Sequence, residues 1–251
     1  MKSIFSGYTK EESEKLRVAL GNLQACIKPN AITYVGSLPI RYYFELLDIP
    51  YKKRDLKDLD ILIPSLNSFN SNVTDKFVIY HTHNYPKHKR ESFSFKFFLA
   101  MVDKETGIKV DVFSDFPFRP INTMKCNFDN HILTFQSAED QLITQVLEAE
   151  IIMLDKKGGR LDYKRRDIIK GLKKAVNMEL AEKYWEQRDI KPEKRSLQDA
   201  IHGIETHIET NGKKALKYLK KKKAKQCGVC VEIKGLPLST PEIANKYLFL
   251  K

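Results

Sequence analysis

Residues 34–64, "YVGSLPIRYYFELLDIPYKKRDLKDLDILIP", carry a glycine-serine turn and two aspartates spaced two apart at the ends of two apolar runs. The first run, "AITYV" (31–35), is rich in β-branched residues and stops at Gly36-Ser37. From Pro39 onward, Ile40, Tyr43, Phe44 and Leu47 recur at helical spacing, which predicts a helix starting near Leu38 and ending before Pro50. "DLDILIP" (58–64) reads as the next strand. Strand side chains alternate between faces, so Asp58 and Asp60 share one face while Leu59, Ile61 and Ile63 take the other.

Outward from this unit, Thr9 and Glu12 have capping-box spacing, and Leu16, Leu20, Leu23 and Ile27 follow as a helical stripe that Pro29 closes. Residues 65–75, rich in Ser and Asn, read as a loop, "FVIY" (77–80) as a strand and 81–91 as a polar connection. "SFSFKFFLAMV" and "IKVDVF" flank the turn sequence "DKETG", the pattern of a hairpin. In "IKVDVF", Ile108, Val110 and Val112 face one way, and Asp111 shares the opposite face with Lys109 and Phe113.

After about residue 130 the texture becomes helical. Ser137 and Asp140 form a cap, and Leu142, Ile143, Val146, Leu147 and Ile151 form the stripe. Helices are further expected over 163–177, near Trp185 and from Ser196 to Asn211-Gly212. The expectation is an α+β protein with a mixed sheet in an α/β domain over 1–130. A helical domain over 131–251 would follow.

The 251 residues suffice for a real core, and no apolar run approaches the ~20 residues of a membrane span. No secretion signal is legible at the N-terminus, and four cysteines fit reduced thiols, so a cytoplasmic protein is expected. The net charge is +12, yet residues 213–225, "KKALKYLKKKKAK", hold eight lysines and no acid. The remainder is only mildly basic, and the lysine-rich segment is suited to a polyanion such as RNA or to an anionic surface. The lone "CGVC" (227–230) lacks two further ligands at paired spacing, and "HTH" (81–83) lies near the cations of 87–90, so neither makes a metal site.

If the strands bearing Asp58, Asp60 and Asp111 are neighbours, three carboxylates converge. Such charges repel and raise one another's pKa, unless divalent cations bridge them. Hard oxygen ligands favour Mg²⁺ or Mn²⁺, and a two-metal site serves phosphoryl or nucleotidyl transfer. Gly36 would let a phosphate approach the backbone, Ser37 would add a hydroxyl, and the helix N-terminus would supply N–H groups.

The order Gly36-Ser37, Asp58-Leu59-Asp60, Asp111 resembles the nucleotidyltransferase superfamily with the DNA polymerase β-like fold. "RDLKDLDILI" is similar to the R-x-[ST]-x-D-[IL]-D stretch of the AbiEii-like group of toxins and tRNA-modifying nucleotidyltransferases, with Arg54 matching and Leu56 departing. "SAEDQLITQVLEAEIIMLDKKGGRLDYKRRDIIKGL" resembles that group's helical motif, with Lys164 and Asp167 in place and Gln145 where a lysine is expected. The resemblance covers roughly 31–172. It implies an NTP-dependent enzyme in which Asp58, Asp60 and Asp111 hold the metals and Gly36 and Ser37 seat the NTP. Arg54, Lys164, Asp167 and Lys109 would contact the nucleotide or acceptor. The acceptor would be an RNA, a protein or a small molecule, and the lysine-rich segment favours RNA, particularly tRNA. An inactive module of this fold, binding RNA or a toxin–antitoxin partner protein, is the competing expectation.

Overall fold

The computed structural model describes residues 8–51, 58–84, 97–114, 120–128, 131–154, 163–188, 195–206 and 236–248. The stretch that opens the sequence reading forms β1 (Thr33–Val35), α2 (Ser37–Leu46) and β2 (Asp58–Ile63), preceded by α1 (Lys10–Cys26). At the start of α1 the Thr9 hydroxyl accepts from the Glu12 N–H at 3.2 Å, and the Glu12 carboxylate accepts from the Thr9 N–H at 2.8 Å. Two orphan donors of the first turn are thereby satisfied.

The rest of the sheet comes from β3 (Phe77–Asn84), β4 (Phe97–Asp103), β5 (Lys109–Ser114), β6 (Thr123–Phe128) and β7 (His131–Gln136). A short α3 (Val73–Lys76) and a 3₁₀ turn at Leu66–Ser68 occupy the expected 65–75 loop. β3 runs four residues beyond the expected "FVIY", with a register shift between Ile79 and His81. The seven strands lie in the order β3-β4-β5-β2-β1-β7-β6, with β2–β5 and β1–β7 parallel and the other pairs antiparallel. The fold is α+β with a mixed sheet. Sheet pairing continues past residue 130 to Gln136, where the sequence texture suggests only helices.

The hairpin turn at 103–107 is held by Asp103, whose Oδ1 accepts from the Thr106 N–H at 2.7 Å and the Glu105 N–H at 3.0 Å. Gly107 adopts φ +72°, a conformation glycine reaches without Cβ strain.

Alternation along the strands sorts side chains onto two faces. Leu59, Ile61 and Ile63 of β2, Val110 and Val112 of β5 and Leu99 and Met101 of β4 pack with Leu16, Leu20 and Leu23 of α1 in one buried core. A second core joins α2 to α4 (Ala138–Leu154), α5 (Tyr163–Ala175), α6 (Met178–Glu186) and α7 (Leu197–Thr206) through Phe44, Leu142, Val146, Ile169, Trp185 and Ile201. The helical cluster is tied by polar contacts as well. Trp185 Nε1 donates to the Arg195 carbonyl at 2.8 Å, and Arg195 Nε donates to Glu150 at 2.7 Å. Finally α8 (Pro241–Leu248) packs Ala244 against Val78 and Val102, and Ser239 N–H donates to the Ile79 carbonyl at the β3 irregularity. None of the described helices is long and apolar enough to cross a membrane.

Candidate active site

Asp60 occupies the centre of the site because of register. In the parallel β2–β5 pair Asp60 stands opposite Asp111, and Asp58 opposite Lys109; across β1 Asp60 is paired with Val35. Equal side-chain phase on neighbouring strands then puts Asp58, Asp60, Lys109, Asp111 and Phe113 on one face. This is the face turned away from the α1 core.

Gly36 joins β1 to α2 with φ +68° and ψ −134°. A Cβ at this position would lie 2.5 Å from Asp60 Oδ2, so the turn brings bare backbone against the carboxylate. Ser37 is the first residue of α2, and both Gly36 and Ser37 line a cleft of about 1070 Å³. The helix is fixed at that angle from two sides: Tyr43 Oη donates to the Gln136 carbonyl at 2.8 Å, and Phe44 packs over Gly171.

The sheet contributes Asp58, Asp60 and Phe113 to the cleft, and α2 contributes Arg41 and Phe44. The opposite wall is built by Gln145 and Glu148 of α4 with Arg165, Asp167, Lys170 and Lys174 of α5. Acids on the sheet therefore face a wall that carries three cations and two acids. Asp111, on the strand that contributes Phe113, is not itself among the lining residues and is in an ion pair with Lys109 Nζ.

Partial burial, followed by the charges of Asp58 and Asp111, pushes the Asp60 carboxyl up to about 7, while Lys109 pulls it down. The repulsion expected from the sequence is thus present. The donor set itself consists of hard carboxylate oxygens on two adjacent strands, which suits Mg²⁺ or Mn²⁺. Among the described residues, however, no three His, Cys, Asp or Glu side chains converge closely enough to hold a metal ion. The three acids share a face, and among the described residues Asp111 is in an ion pair with Lys109.

Of the other residues singled out in the sequence, Asp167 lines the cleft from α5. Lys164 lies in the first turn of α5, with its side chain outside the description. Arg54, Leu56, the 213–225 lysine segment, Cys227 and Cys230 fall outside the described residues. Cys26 and Cys126 are buried free thiols.

Gln145, where the resemblance places a lysine, accepts from Arg165 Nη1 at 3.1 Å; the same guanidinium pairs with Glu148. A cation reaches that spot from the neighbouring helix. Sequence reasoning missed Arg41, Glu148, Arg165, Lys170 and Lys174. A usable signal exists for the last two, because Asp167, Lys170 and Lys174 follow at i, i+3 and i+7, on one side of a helix.

No protein-family model matches the chain, and no curated protein is detectably similar in sequence. Among solved structures, similarity is found to an antigenic nucleotidyltransferase-like protein from Paracoccidioides brasiliensis, at a TM-score of 0.43 and 14% identity over 78% of this chain and 88% of that one. JHP933 from Helicobacter pylori is similar at a TM-score of 0.37 and 10% identity, over 78% and 89%. TM-scores below 0.5 at such identities are too low to carry a conclusion about this chain.

Proposed function

We propose that the cleft binds a nucleoside triphosphate and that the chain transfers its nucleotidyl group to a hydroxyl acceptor with the help of Mg²⁺ or Mn²⁺. The observation that carries this reading is the in-register opposition of Asp60 and Asp111 beside a glycine with no room for a side chain. Support comes from the order of groups around the cleft. The Gly36-Ser37 turn and the N-terminus of α2 offer backbone N–H groups and a hydroxyl to phosphate oxygens. Lys170 and Lys174 offer positive charge from the facing wall.

In this reaction the acceptor oxygen forms a bond to the α-phosphorus, the bond from that phosphorus to the α–β bridging oxygen breaks, and pyrophosphate leaves. Asp58 and Asp60, joined by Asp111 once it has turned from Lys109, would hold the metal, which would supply activation of the acceptor oxygen and offset the charge of the leaving group. Asp111 would also take the acceptor proton once it has turned from Lys109. Arg165, held by Gln145 and Glu148, fixes the wall that the triphosphate faces. RNA or a protein as acceptor belongs to this same reading, and a toxin–antitoxin partner surface belongs to the non-catalytic one.

The experiment is label transfer. Purified protein is incubated with each labelled NTP, Mg²⁺, and total RNA or lysate. Transfer to a macromolecular acceptor is expected with at least one NTP, and its loss is expected in Asp58→Ala and Asp60→Ala. Absence of transfer with every NTP and acceptor overturns the reading.

A second reading has an observation of its own. The Lys109–Asp111 ion pair already provides the acid with a cation, as it would in a module that binds nucleotide or RNA without turnover. A thermal shift with NTP and Mg²⁺ but no transfer would select it.

A further inference from the structure

We propose that Gln136 and Thr144 read the base of the bound nucleotide and select triphosphates whose base carries an exocyclic amino group, ATP and CTP, over those with keto bases, GTP and UTP. The inference rests on the nucleotide-binding reading of the cleft and adds which nucleotides the cleft admits.

Register carries Gln136 to the cleft. Tyr34 of β1 is paired with Phe135 of β7, and both rings are buried in the α1 core. The next residue on each strand, Val35 and Gln136, therefore takes the opposite face, and both line the cleft. Val35 in turn stands opposite Asp60. Gln136 thus belongs to the row that holds Asp60 and Asp111, two strands from Asp60 and about 10 Å away at the usual strand spacing. A nucleotide whose α-phosphate lies at Asp60 spans that interval with its sugar and base.

The hydrogen bonds of Gln136 leave one atom over. Its Nε2 donates to the Thr144 hydroxyl at 2.9 Å and to the Asp140 carbonyl at 3.3 Å. A carbonyl can only accept, so the second contact fixes which end of the amide is nitrogen, and the two together spend both of its hydrogens. Oε1 has no partner among the described residues, although Gln136 is only 1% exposed. A buried acceptor without a donor is costly and rare in native proteins. Thr144 is half-buried on the same wall, and no described residue accepts from its hydroxyl hydrogen.

The wall therefore presents an acceptor at depth and a donor nearer the opening. An amide oxygen repels phosphate, so this end of the row suits a base and not the triphosphate. Exocyclic substituents project farthest from a base; the substituent meets Oε1, and the adjacent ring nitrogen meets the Thr144 hydroxyl. Adenine and cytosine match, with an N–H on the substituent and an acceptor nitrogen beside it. Guanine and uracil present the reverse, a carbonyl against Oε1 and an N–H beside it.

The test is isothermal titration calorimetry of the full chain in Mg²⁺ with ATP, GTP, CTP, UTP and inosine triphosphate, which differs from ATP at the Watson–Crick edge alone. Within whichever ring class binds, the amino base is expected to bind at least about tenfold more tightly than the keto base. Gln136→Met keeps the length of the side chain and removes the acceptor. It should weaken the amino nucleotide about tenfold and leave the keto nucleotide unchanged, so that their ratio falls to about one. A glutamine serving only as a strut between β7 and α4 would lower all the affinities together. The pairs measured on the unmodified chain decide even where the variant does not fold. Equal affinities within the pairs, tighter binding of the keto nucleotides, or a ratio that survives Gln136→Met overturns the inference and leaves nucleotide binding in place. Failure of every nucleotide to bind overturns the nucleotide reading as well.

Discussion

Gly36 and Asp60 are so closely packed that a single methyl group on the glycine would sit 2.5 Å from Asp60 Oδ2. The contact joins the turn at the head of α2 to the acid at the centre of the sheet face, and it makes the glycine a determinant of where the carboxylate points. Gly36→Ala meets two penalties at once, a residue forced to φ +68° and a collision with Asp60. A loss of about 2–3 kcal/mol in urea unfolding is expected. Transfer activity should fall below detection even where the variant remains folded. A variant with normal unfolding and normal activity would show that the close approach has no consequence.

Asp60 should make stability depend on pH. Its carboxyl is pushed from the usual range to about 7, so the folded chain binds a proton more tightly than the unfolded one. The stabilisation is complete below about pH 4 and is lost as pH rises through 7. Asp60→Asn imitates the protonated form. In EDTA at pH 8 it should be more stable than the parent chain by about 1–3 kcal/mol, and near pH 4 the two should coincide. Added Mg²⁺ should raise the melting temperature of the parent at pH 8 and leave the variant unchanged. Chemical denaturation at the two pH values checks the sign.

Arg188 and Asp140 form a buried ion pair, with side chains 8% and 0% exposed, and Asp140 also accepts from the Asn122 N–H at 2.6 Å. Burial raises the Asp140 carboxyl above its ordinary range, against the pull of the Asn122 N–H and of Arg188. Arg188→Ala leaves the acid buried without its cation, at an expected cost of about 3–5 kcal/mol at neutral pH. Since a protonated carboxyl carries no charge to strand, the deficit should shrink as pH falls toward 4. Parallel unfolding curves at pH 7.5 and 4.5 measure it.

Gly171 lets α5 approach α2. A Cβ there would meet Phe44 Cζ at 2.4 Å, and Phe44 is held in turn against Tyr51 at a ring separation of 5.8 Å. Gly171→Ala should therefore cost about 1–3 kcal/mol despite the higher helix propensity of alanine. Phe44→Leu in the same chain should recover part of the loss, a coupling that a double-mutant cycle quantifies.

Much of this site could be read locally. "DLDILI" and "IKVDVF" declare their two faces through alternation alone, because the pleat is a property of each strand. The hairpin around "DKETG" was legible for the same reason. β6 and β7 were not. "TMKCNF" does alternate Met124, Cys126 and Phe128 with polar residues, but it is short and Met124 is only partly buried, while "HILTFQ" sets the 62% exposed Ile132 beside buried Leu133 and so shows no clean alternation. The remaining clue was Asp129-Asn130, a two-residue turn sequence between them. Likewise, the lysine expected at 145 could not be replaced in thought by Arg165, twenty residues away on another helix.

The sequence by itself determined the components: which acids share a strand face, where a glycine must precede a helix, and which helix faces are apolar. These follow from periodicities of 2 and 3.6 residues, which the backbone sets within a few residues. Tertiary structure alone decided that β5 lies parallel to β2 with Asp111 opposite Asp60 rather than one residue displaced. It also decided that β7 inserts beside β1, that Lys109 meets Asp111, and that α8 returns to cover β3 and β4. Register and neighbour choice are settled by burial of distant surfaces against each other, and a shift of one residue would have turned Asp111 into the core.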